Sequence, residues 1–434
     1  MSDLVIPSKI PWEEIKGKDL EEILYWLLDE MGAKDLEWRI GGSSGGAADQ
    51  GRDLEAFFYI QGPDGEMIRQ KWWIEAKGRS KTVETPVVRE AIITASGVHN
   101  VDIILIATNT QFSNPTREWI KEWSITNPRI AVKLWDRNDL ERFVCKHPSV
   151  ISRLYPGALS LEGKLEVIRS QFWNHVYYSG TPSLSELWKC KAKLKWNNMS
   201  MIAVIAGEAA NGDFASRPWP LILSNDELTE VLALSIVNTL PFIHRADRSG
   251  ITTEHYLKAV SYIVLVALDR LGAKIASKVI ENCWDVSGCA NCPMEIRRLS
   301  INPVLRRLRD ELFDVCTSDC TRISTDPFVL NKETTKNYWL RLKLPEKQGK
   351  NDKESKRILI IETFGSPCKA GFKLNKKRHC PLGTSEFDKL DDEKNEINIA
   401  RVINIFEKVV RSHKLEKKRD NNMKPNINNA YNGS

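Results

Sequence analysis

Two carboxylates and a lysine stand at spacings that suit the hydrolysis of a phosphodiester. Asp53 comes just before a predicted strand, and Glu75 and Lys77 end the next one, with Ala76 between them. Such hydrolysis needs a hard divalent cation held by carboxylates, an activated water, and a positive group near the charge that develops on phosphorus. Side chains alternate along a strand, so Glu75 and Lys77 project from the same face. The three residues therefore predict a metal-dependent hydrolytic site.

A hairpin would bring these groups together. Its predicted parts are a strand at Leu54–Ile60, turn residues 61–66 and a strand at Met67–Lys77. If the hairpin folds symmetrically about Asp64, Asp53 lies opposite Glu75. Two carboxylates directly across a sheet repel each other unless a cation lies between them. The hairpin thus predicts that both acids face one metal-sized point.

Other elements must support that hairpin. Apolar residues at helical spacing predict a helix over Leu20–Met31, followed by a Gly/Ser/Ala-rich loop over Gly41–Gly51. The next predicted elements are a helix at Pro86–Val98, a buried strand at Val101–Ala107, a helix at Asn114–Glu122 and a strand at Ile130–Trp135. This alternation predicts a mixed α/β sheet with helices on its faces, ending near residue 157. Trp72 and Trp73 are interpreted as core residues.

The order of these motifs resembles the catalytic domain of Mrr-like restriction endonucleases, of the PD-(D/E)xK nuclease superfamily. The resemblance covers about the first 150 residues. It is carried by the helix of Glu21–Gly32, by Asp49-Gln50-Gly51-Arg52-Asp53, by Glu75-Ala76-Lys77 and by the basic tail Gly78-Arg79-Ser80-Lys81. The Pro-Asp pair of the superfamily is absent, since Arg52 precedes Asp53, and Mrr-like members tolerate that. The resemblance implies a restriction-endonuclease-like mixed sheet flanked by helices.

The resemblance also implies roles for individual residues. Asp53 and Glu75 would bind Mg²⁺ or Mn²⁺ with the carbonyl of Ala76, and Lys77 would stabilise charge or position the attacking water. Glu21 matches an extra acid that many members use near the metal, although it could equally be a solvated helix residue. Arg79, Ser80 and Lys81 are candidates for contact with DNA phosphates, or ordinary loop residues.

The rest of the chain has no recognised family. Residues 158–330 are predicted to be mainly helical, 331–413 to be a basic mixed α+β segment and 414–434 to be a disordered tail. The clearest predicted elements are helices at Asp226–Thr239, Thr253–Asn282 and Glu396–His413 and a strand at Ile358–Thr363. This C-terminal region would recognise a target or a partner.

Four of the nine cysteines form two short-spaced pairs. Cys289 and Cys292 are the first pair, and Cys316 and Cys320 are the second, with a predicted helix between them. Tetrahedral zinc favours such pairs because a tight turn brings both sulfurs to one ion. The pattern predicts a structural Zn²⁺ site or an iron–sulfur site, with free thiols as the alternative.

Charge and hydropathy narrow the possible partners. Residues 332–380 hold fourteen Lys and Arg against five Asp and Glu, and the run Lys373, Lys376, Lys377 and Arg378 is the densest part. Such an excess suits contact with a phosphate backbone, although charge runs are commonly solvated faces.

No apolar run is long enough for a membrane span, and no signal pattern opens the chain, so a cytoplasmic protein is expected.

The main functional hypothesis is a Mg²⁺-dependent DNA endonuclease, the effector of a restriction or anti-phage defence system. It would act as a homo-oligomer or with other defence-system subunits. No Walker A motif occurs, so an ATP-driven step would need another subunit. The alternatives are a catalytically inactive nucleic-acid-binding or complex-assembly protein, and a nuclease of DNA repair or junction processing.

Overall fold

The chain forms two compact units in the computed structural model, which describes residues 4–38, 52–286, 292–324, 338–343, 358–363, 367–375, 378–382 and 398–423. Unit 1 comprises Met1–Gln171 and Cys190–Lys195, and unit 2 comprises Phe172–Lys189 and Trp196–Ser434. The finer division that the sequence predicts, with boundaries at 157, 330 and 413, stays a prediction. None of the described helices has an apolar stretch that could span a bilayer.

Unit 1 alternates helices and strands. Its elements are α1 (Lys18–Glu30), β1 (Lys34–Trp38), β2 (Leu54–Gln61), β3 (Met67–Ala76), α2 (Thr85–Ser96), β4 (Ile103–Ala107), α3 (Asn114–Thr126), β5 (Ala131–Trp135), α4 (Arg137–Lys146) and α5 (Pro148–Leu154). The strands form one sheet in the order β1-β2-β3-β4-β5. The first three are antiparallel, and β3, β4 and β5 run parallel. The predicted mixed α/β sheet with flanking helices is confirmed.

The sheet separates two apolar cores. Leu54, Trp72 and Ile74 pack on one face with buried residues of α1 and α4, and Trp73 packs on the other face with residues of α2 and α3. Trp72 and Trp73 are both buried, as expected of core residues. This alternation decides where the polar groups go: on β3, Glu75 and Lys77 share the face of Trp73.

The hairpin of β2 and β3 has the register that the turn predicts. Leu54 pairs with Ile74 and Gln61 pairs with Met67, without a bulge between them. Strand β1, by contrast, is absent from the sequence predictions. It is five residues long, its pairing with β2 is irregular, and Asp35 has a φ of +48°. A strand this short and polar lacks the alternation that identifies strands from sequence.

Unit 2 is mainly helical. Helix α6 (Leu161–His175) contains the boundary between the units, and the helices after it are α7 (Thr181–Lys189), α8 (Asn198–Asn211), α9 (Asn225–Val237), α10 (Thr239–Arg248), α11 (Glu254–Arg270), α12 (Ala273–Val286), α13 (Met294–Asp319) and α14 (Ile399–Met423). Strands β6 (Ile323–Ser324), β7 (Tyr338–Lys343) and β8 (Ile358–Thr363) form an antiparallel sheet in the order β6-β8-β7.

Two sequence predictions in unit 2 need correction. The single helix predicted over Thr253–Asn282 is two helices, because Gly272 has a φ of +80° between α11 and α12. That left-handed conformation ends a helix and favours glycine. Helix α14 continues to Met423, into the segment for which composition predicts a disordered tail. Residues 424–434 lie outside the described residues.

Candidate active site

The carboxylate of Asp53 lies at the open end of the hairpin, beside the last residues of β3. The N–H of Asp53 donates to the carbonyl of Ile74 at 3.2 Å, just beyond the last β2–β3 pair, which is Leu54 with Ile74. Its Oδ2 accepts the N–H of Ala76 at 2.6 Å. Asp53 therefore lies against the end of β3, between the backbone of Ile74 and that of Ala76.

Glu75 is buried and has two side-chain partners on its own strand face. Only 2% of its surface is exposed. Its Oε1 accepts the indole N–H of Trp73 at 3.1 Å, and its Oε2 is 2.7 Å from Nζ of Lys77. The ammonium group of Lys77 keeps partial access to solvent, with 21% of the side chain exposed. The carboxylate of Glu75 and the ammonium of Lys77 thus form an ion pair on one side of the site.

The carboxyl group of Asp53 is electrostatically unfavourable in its ionised form. Its pKa is raised from 3.8 to about 6, chiefly by burial and also by the carboxylates of Glu21 and Glu75. The N–H of Ala76 and the ammonium of Lys77 act in the opposite direction without cancelling the rise. Negative charge is therefore in excess around Asp53.

Glu21 contributes to this excess from helix α1. Its Oε2 accepts the indole N–H of Trp38 at 2.9 Å, so the missed strand β1 holds the acid in place. The sequence left open whether Glu21 is part of the site or a solvated helix residue. The structure brings it within electrostatic reach of Asp53.

The donor chemistry fits a hard divalent cation. Carboxylate and carbonyl oxygens are the ligands that Mg²⁺ and Mn²⁺ prefer, and a cation would stabilise the ionised form of Asp53, which burial and the neighbouring carboxylates disfavour. Within the described part of the chain, no three His, Cys, Asp or Glu side chains lie close enough together to hold a metal ion. Asp53 and Glu75 are the residues that could hold one, with the carbonyl of Ala76.

A second buried acid lies beside the site on the same sheet face. Glu55 is 7% exposed and forms ion pairs with Arg52 and with Lys71, the latter at 3.1 Å. The guanidinium of Arg52 also lies over the ring of Trp73, 4.9 Å from its centroid. Because these cations partner Glu55, they do not supply the charge that Asp53 lacks.

The loop after Lys77 carries the predicted DNA-contact residues on its surface. Arg79, Ser80 and Lys81 are all exposed. Gly78, before them, allows a close backbone approach: a Cβ there would lie 2.6 Å from the backbone nitrogen of Gly17. A side chain at position 78 would therefore push apart the loop and the segment that leads into α1.

Three polar residues after β4 hold this loop, and sequence reasoning missed them. Thr108 Oγ1 donates to the carbonyl of Lys77 at 2.8 Å, and Thr110 Oγ1 donates to the carbonyl of Lys81 at 3.0 Å. Between them, Asn109 accepts the N–H of Arg79 at 2.8 Å. The available signal was three hydrogen-bonding residues directly after a continuous apolar strand.

The predicted four-cysteine metal site is wrong. Cys292 precedes the first residue of α13, and Cys316 lies near the end of this 26-residue helix. They are about 35 Å apart at the helical rise per residue, so they cannot share one ion. Cys289 lies outside the described residues, but it is only three residues from Cys292. Instead, Cys316 Sγ contacts His413 Nε2 at 3.5 Å.

The basic segment is described only in part. Lys373 and Arg378 are exposed, as a phosphate-binding surface requires, whereas Lys376 and Lys377 lie outside the described residues. Phosphate contact by this segment stays a prediction.

The fold and the placement of the acids define a restriction-endonuclease-like α/β domain. Residues 12–144 match the Mrr_cat family, described as a restriction endonuclease. The resemblance inferred from the sequence is thereby confirmed, and the match supports a nuclease of restriction type.

Other comparisons add little. No curated protein matches the chain. Among solved structures, the MspJI restriction endonuclease in complex with a 27-mer oligonucleotide is similar, with 17% identity and a TM-score of 0.23. The match covers 32% of this chain and 29% of that one, so the chain spans less than a third of that relative.

Proposed function

We propose that this chain is a metal-dependent endonuclease that hydrolyses DNA phosphodiester bonds, with Asp53, Glu75 and Lys77 at its catalytic centre. The observation that carries the proposal is the position of Asp53 at the end of β3, where it accepts the N–H of Ala76, with the ammonium of Lys77 2.7 Å from Glu75. The raised pKa of Asp53 supports it, because an unbalanced pair of acids is what a bound cation stabilises. The family match of residues 12–144 supports the nuclease class.

Each group would have a distinct task. Asp53 and Glu75 would bind Mg²⁺ or Mn²⁺ with the carbonyl of Ala76. The bound ion would supply Lewis-acid polarisation of the phosphate and lower the pKa of a water molecule. Trp73 orients Glu75 through its indole N–H. Lys77, tethered by Glu75, would donate hydrogen bonds to a phosphate oxygen as negative charge develops there.

Substrate contact would extend along the loop after Lys77. Arg79 and Lys81 present cations at the surface, and Ser80 presents a hydroxyl donor. Contacts of this kind position the phosphate backbone without reading its sequence. Recognition of a DNA target or of a partner protein would then belong to unit 2, and Glu21 would assist the centre as an additional acid.

We propose a role in restriction or anti-phage defence, which the match to a restriction endonuclease family supports. An enzyme with one such centre per chain cuts one strand at a time. Cutting both strands of a duplex in one binding event would require two centres, supplied by a second copy of this chain or by another defence-system subunit.

A cleavage assay on supercoiled plasmid tests the proposal. The full chain should nick or linearise plasmid with Mg²⁺ or Mn²⁺, and EDTA should abolish the reaction. Glu75→Gln should lose activity, whereas the same substitution at the exposed Glu66, at the other end of the hairpin, should not. Cleavage that survives EDTA or Glu75→Gln would refute the site. Salt-sensitive binding without turnover in either metal would indicate a catalytically inactive DNA-binding protein.

A further inference from the structure

The side-chain amide of Asn109 connects the loop after Lys77 with the segment that leads into α1. Asn109 is 2% exposed, and both ends of its carboxamide are used. Its Oδ1 accepts the N–H of Arg79 at 2.8 Å, and its Nδ2 donates to the carbonyl of Trp12 at 2.9 Å. One side chain therefore ties the loop after β3 to the segment that leads into α1.

The same two segments meet again at a second point. Gly78 and Gly17 approach so closely that a Cβ on Gly78 would lie 2.6 Å from the nitrogen of Gly17. Gly17 immediately precedes α1, the helix that carries Glu21. The contacts of Asn109 and Gly78 thus hold one junction, with Lys77 on one side of it and Glu21 on the other.

The threonines beside Asn109 hold the ends of the loop but do not make this connection. Thr108 and Thr110 bind carbonyls of Lys77 and Lys81, so both act within the loop alone. Only Asn109 among the three reaches across to Trp12. Asparagine is suited to this position because its amide offers an acceptor and a donor in one plane.

We propose that Asn109 is a positioning residue for the nuclease centre: it holds the backbone at Arg79, and with it the direction of Lys77, relative to the segment that leads into the helix carrying Glu21. This inference rests on the proposed function. Its physical basis is that a catalytic group must stay within a fraction of an ångström of its productive position, and supporting hydrogen bonds provide that precision. Asn109 itself would touch neither DNA nor metal.

The test compares two buried substitutions in unit 1. Asn109→Leu removes both hydrogen bonds at similar volume. Thr116→Val is the matched control, since Thr116 is fully buried at the start of α3 and bonds only to Thr85 and Ser113. Both variants remove hydrogen bonds from partly buried polar groups, so both should lower the thermal midpoint.

Three measurements separate positioning from stability. Single-turnover cleavage of plasmid with Mg²⁺ should fall about 10–100-fold for Asn109→Leu and less than about two-fold for Thr116→Val. Binding of the same DNA in Ca²⁺ should change much less than the rate. Hydrogen exchange at the Arg79 amide should accelerate in Asn109→Leu alone, because this amide loses its acceptor.

Asn109→Asp serves as a second variant and covers the case in which Asn109→Leu does not fold. It keeps an acceptor for Arg79 but loses the donor to Trp12, so Arg79 should stay protected and the rate should fall less than in Asn109→Leu. Wild-type rates in a folded Asn109→Leu variant, or in Asn109→Asp an unprotected Arg79 amide, would overturn the inference. If the wild-type chain cleaves nothing, the proposed function fails, and exchange at Arg79 still decides whether Asn109 holds the loop.

Discussion

Each unit buries one glutamate that accepts an indole N–H and contacts a cation. Glu75 in unit 1 is 2% exposed, and Glu208 in unit 2 is fully buried. The partners are Trp73 and Lys77 for the first, and Trp219 and Arg217 for the second. The two sites start from the same side-chain types, so their difference lies in what surrounds them.

In unit 2 the charge of the buried glutamate is compensated within the protein. Arg217 donates to both oxygens of Glu208, at 2.6 and 2.8 Å, and also to Ser185 and Asp213. The pKa of Arg217 is raised, chiefly by its hydrogen bond to Glu208. A buried acid with a bidentate guanidinium and an indole donor has its hydrogen-bonding capacity used within the protein, which is the pattern of a structural network.

In unit 1 the negative charges are compensated only in part. Glu75 is paired with one partly exposed lysine, and it acts electrostatically on a second carboxylate, Asp53, whose pKa is raised to about 6. The comparison teaches that a buried acid alone does not mark a functional site. An acid beside an uncompensated neighbour does, because that arrangement is costly unless something binds there.

The largest expected effect comes from removing the cation in each unit. Lys77→Met should reduce the plasmid cleavage rate by about 10³-fold, because charge on the phosphate loses its stabilising donor. Arg217→Met should instead lower the free energy of unfolding of unit 2 by about 3–5 kcal/mol, because it leaves Glu208 buried without its cation. Cleavage kinetics and urea denaturation measure the two. A large loss of stability in Lys77→Met with full activity would show instead that Lys77 has a structural role.

Replacing the tryptophan that donates to each glutamate should give smaller effects than replacing the cation. Trp73→Phe should lower cleavage about 10-fold, because Glu75 loses the bond that orients it. Trp219→Phe should cost about 1–2 kcal/mol of stability in unit 2, since a buried carboxylate loses one of several donors. Equal effects of the two substitutions on cleavage would show that Trp73 acts only through packing.

The raised pKa of Asp53 predicts a pH-dependent response to divalent ions. Its folded-state pKa lies above the ordinary 3.8, so the metal-free protein should lose stability as pH rises from about 4 to 6. Ca²⁺, which binds the ionised form, should therefore raise the thermal midpoint at pH 7.5 by on the order of 2–4 °C and leave it unchanged at pH 5. Scanning calorimetry measures this response.

Asp53→Asn is the control for that measurement. It should abolish the Ca²⁺ response at pH 7.5 and stabilise the metal-free protein, because the amide carries no charge to repel Glu75. A Ca²⁺ response that persists in the variant would place the ion elsewhere in the chain.

The smallest effect concerns the surface loop. Lys81→Ala should weaken DNA binding in Ca²⁺ modestly and reduce the slope of log affinity against log salt by about one, as expected for the loss of one phosphate contact. Lys121→Ala, on the exposed surface of α3, is the control and should leave the slope unchanged. An unchanged slope for Lys81→Ala would remove this residue from the DNA-binding surface.

Local chemistry explains which parts of the fold were predictable. The register of the hairpin follows from its turn, and the pairing of Leu54 with Ile74 confirms it. The break at Gly272 was missed because both flanking helices are apolar with compatible spacing, and a left-handed residue leaves no periodic signal. The four-cysteine prediction failed because short spacing within each pair says nothing about the distance between pairs, which α13 makes long.

The arrangement of the proposed catalytic residues of unit 1 follows from local features of the sequence. Asp53, Glu75 and Lys77 are brought together by strand alternation and by one turn, and both are local rules. Tertiary structure decided what local rules do not contain. Trp38 on β1 holds Glu21, and Asn109 joins two segments that are far apart in sequence. Such contacts depend on how strands and helices pack across the sheet, which no short window of residues encodes.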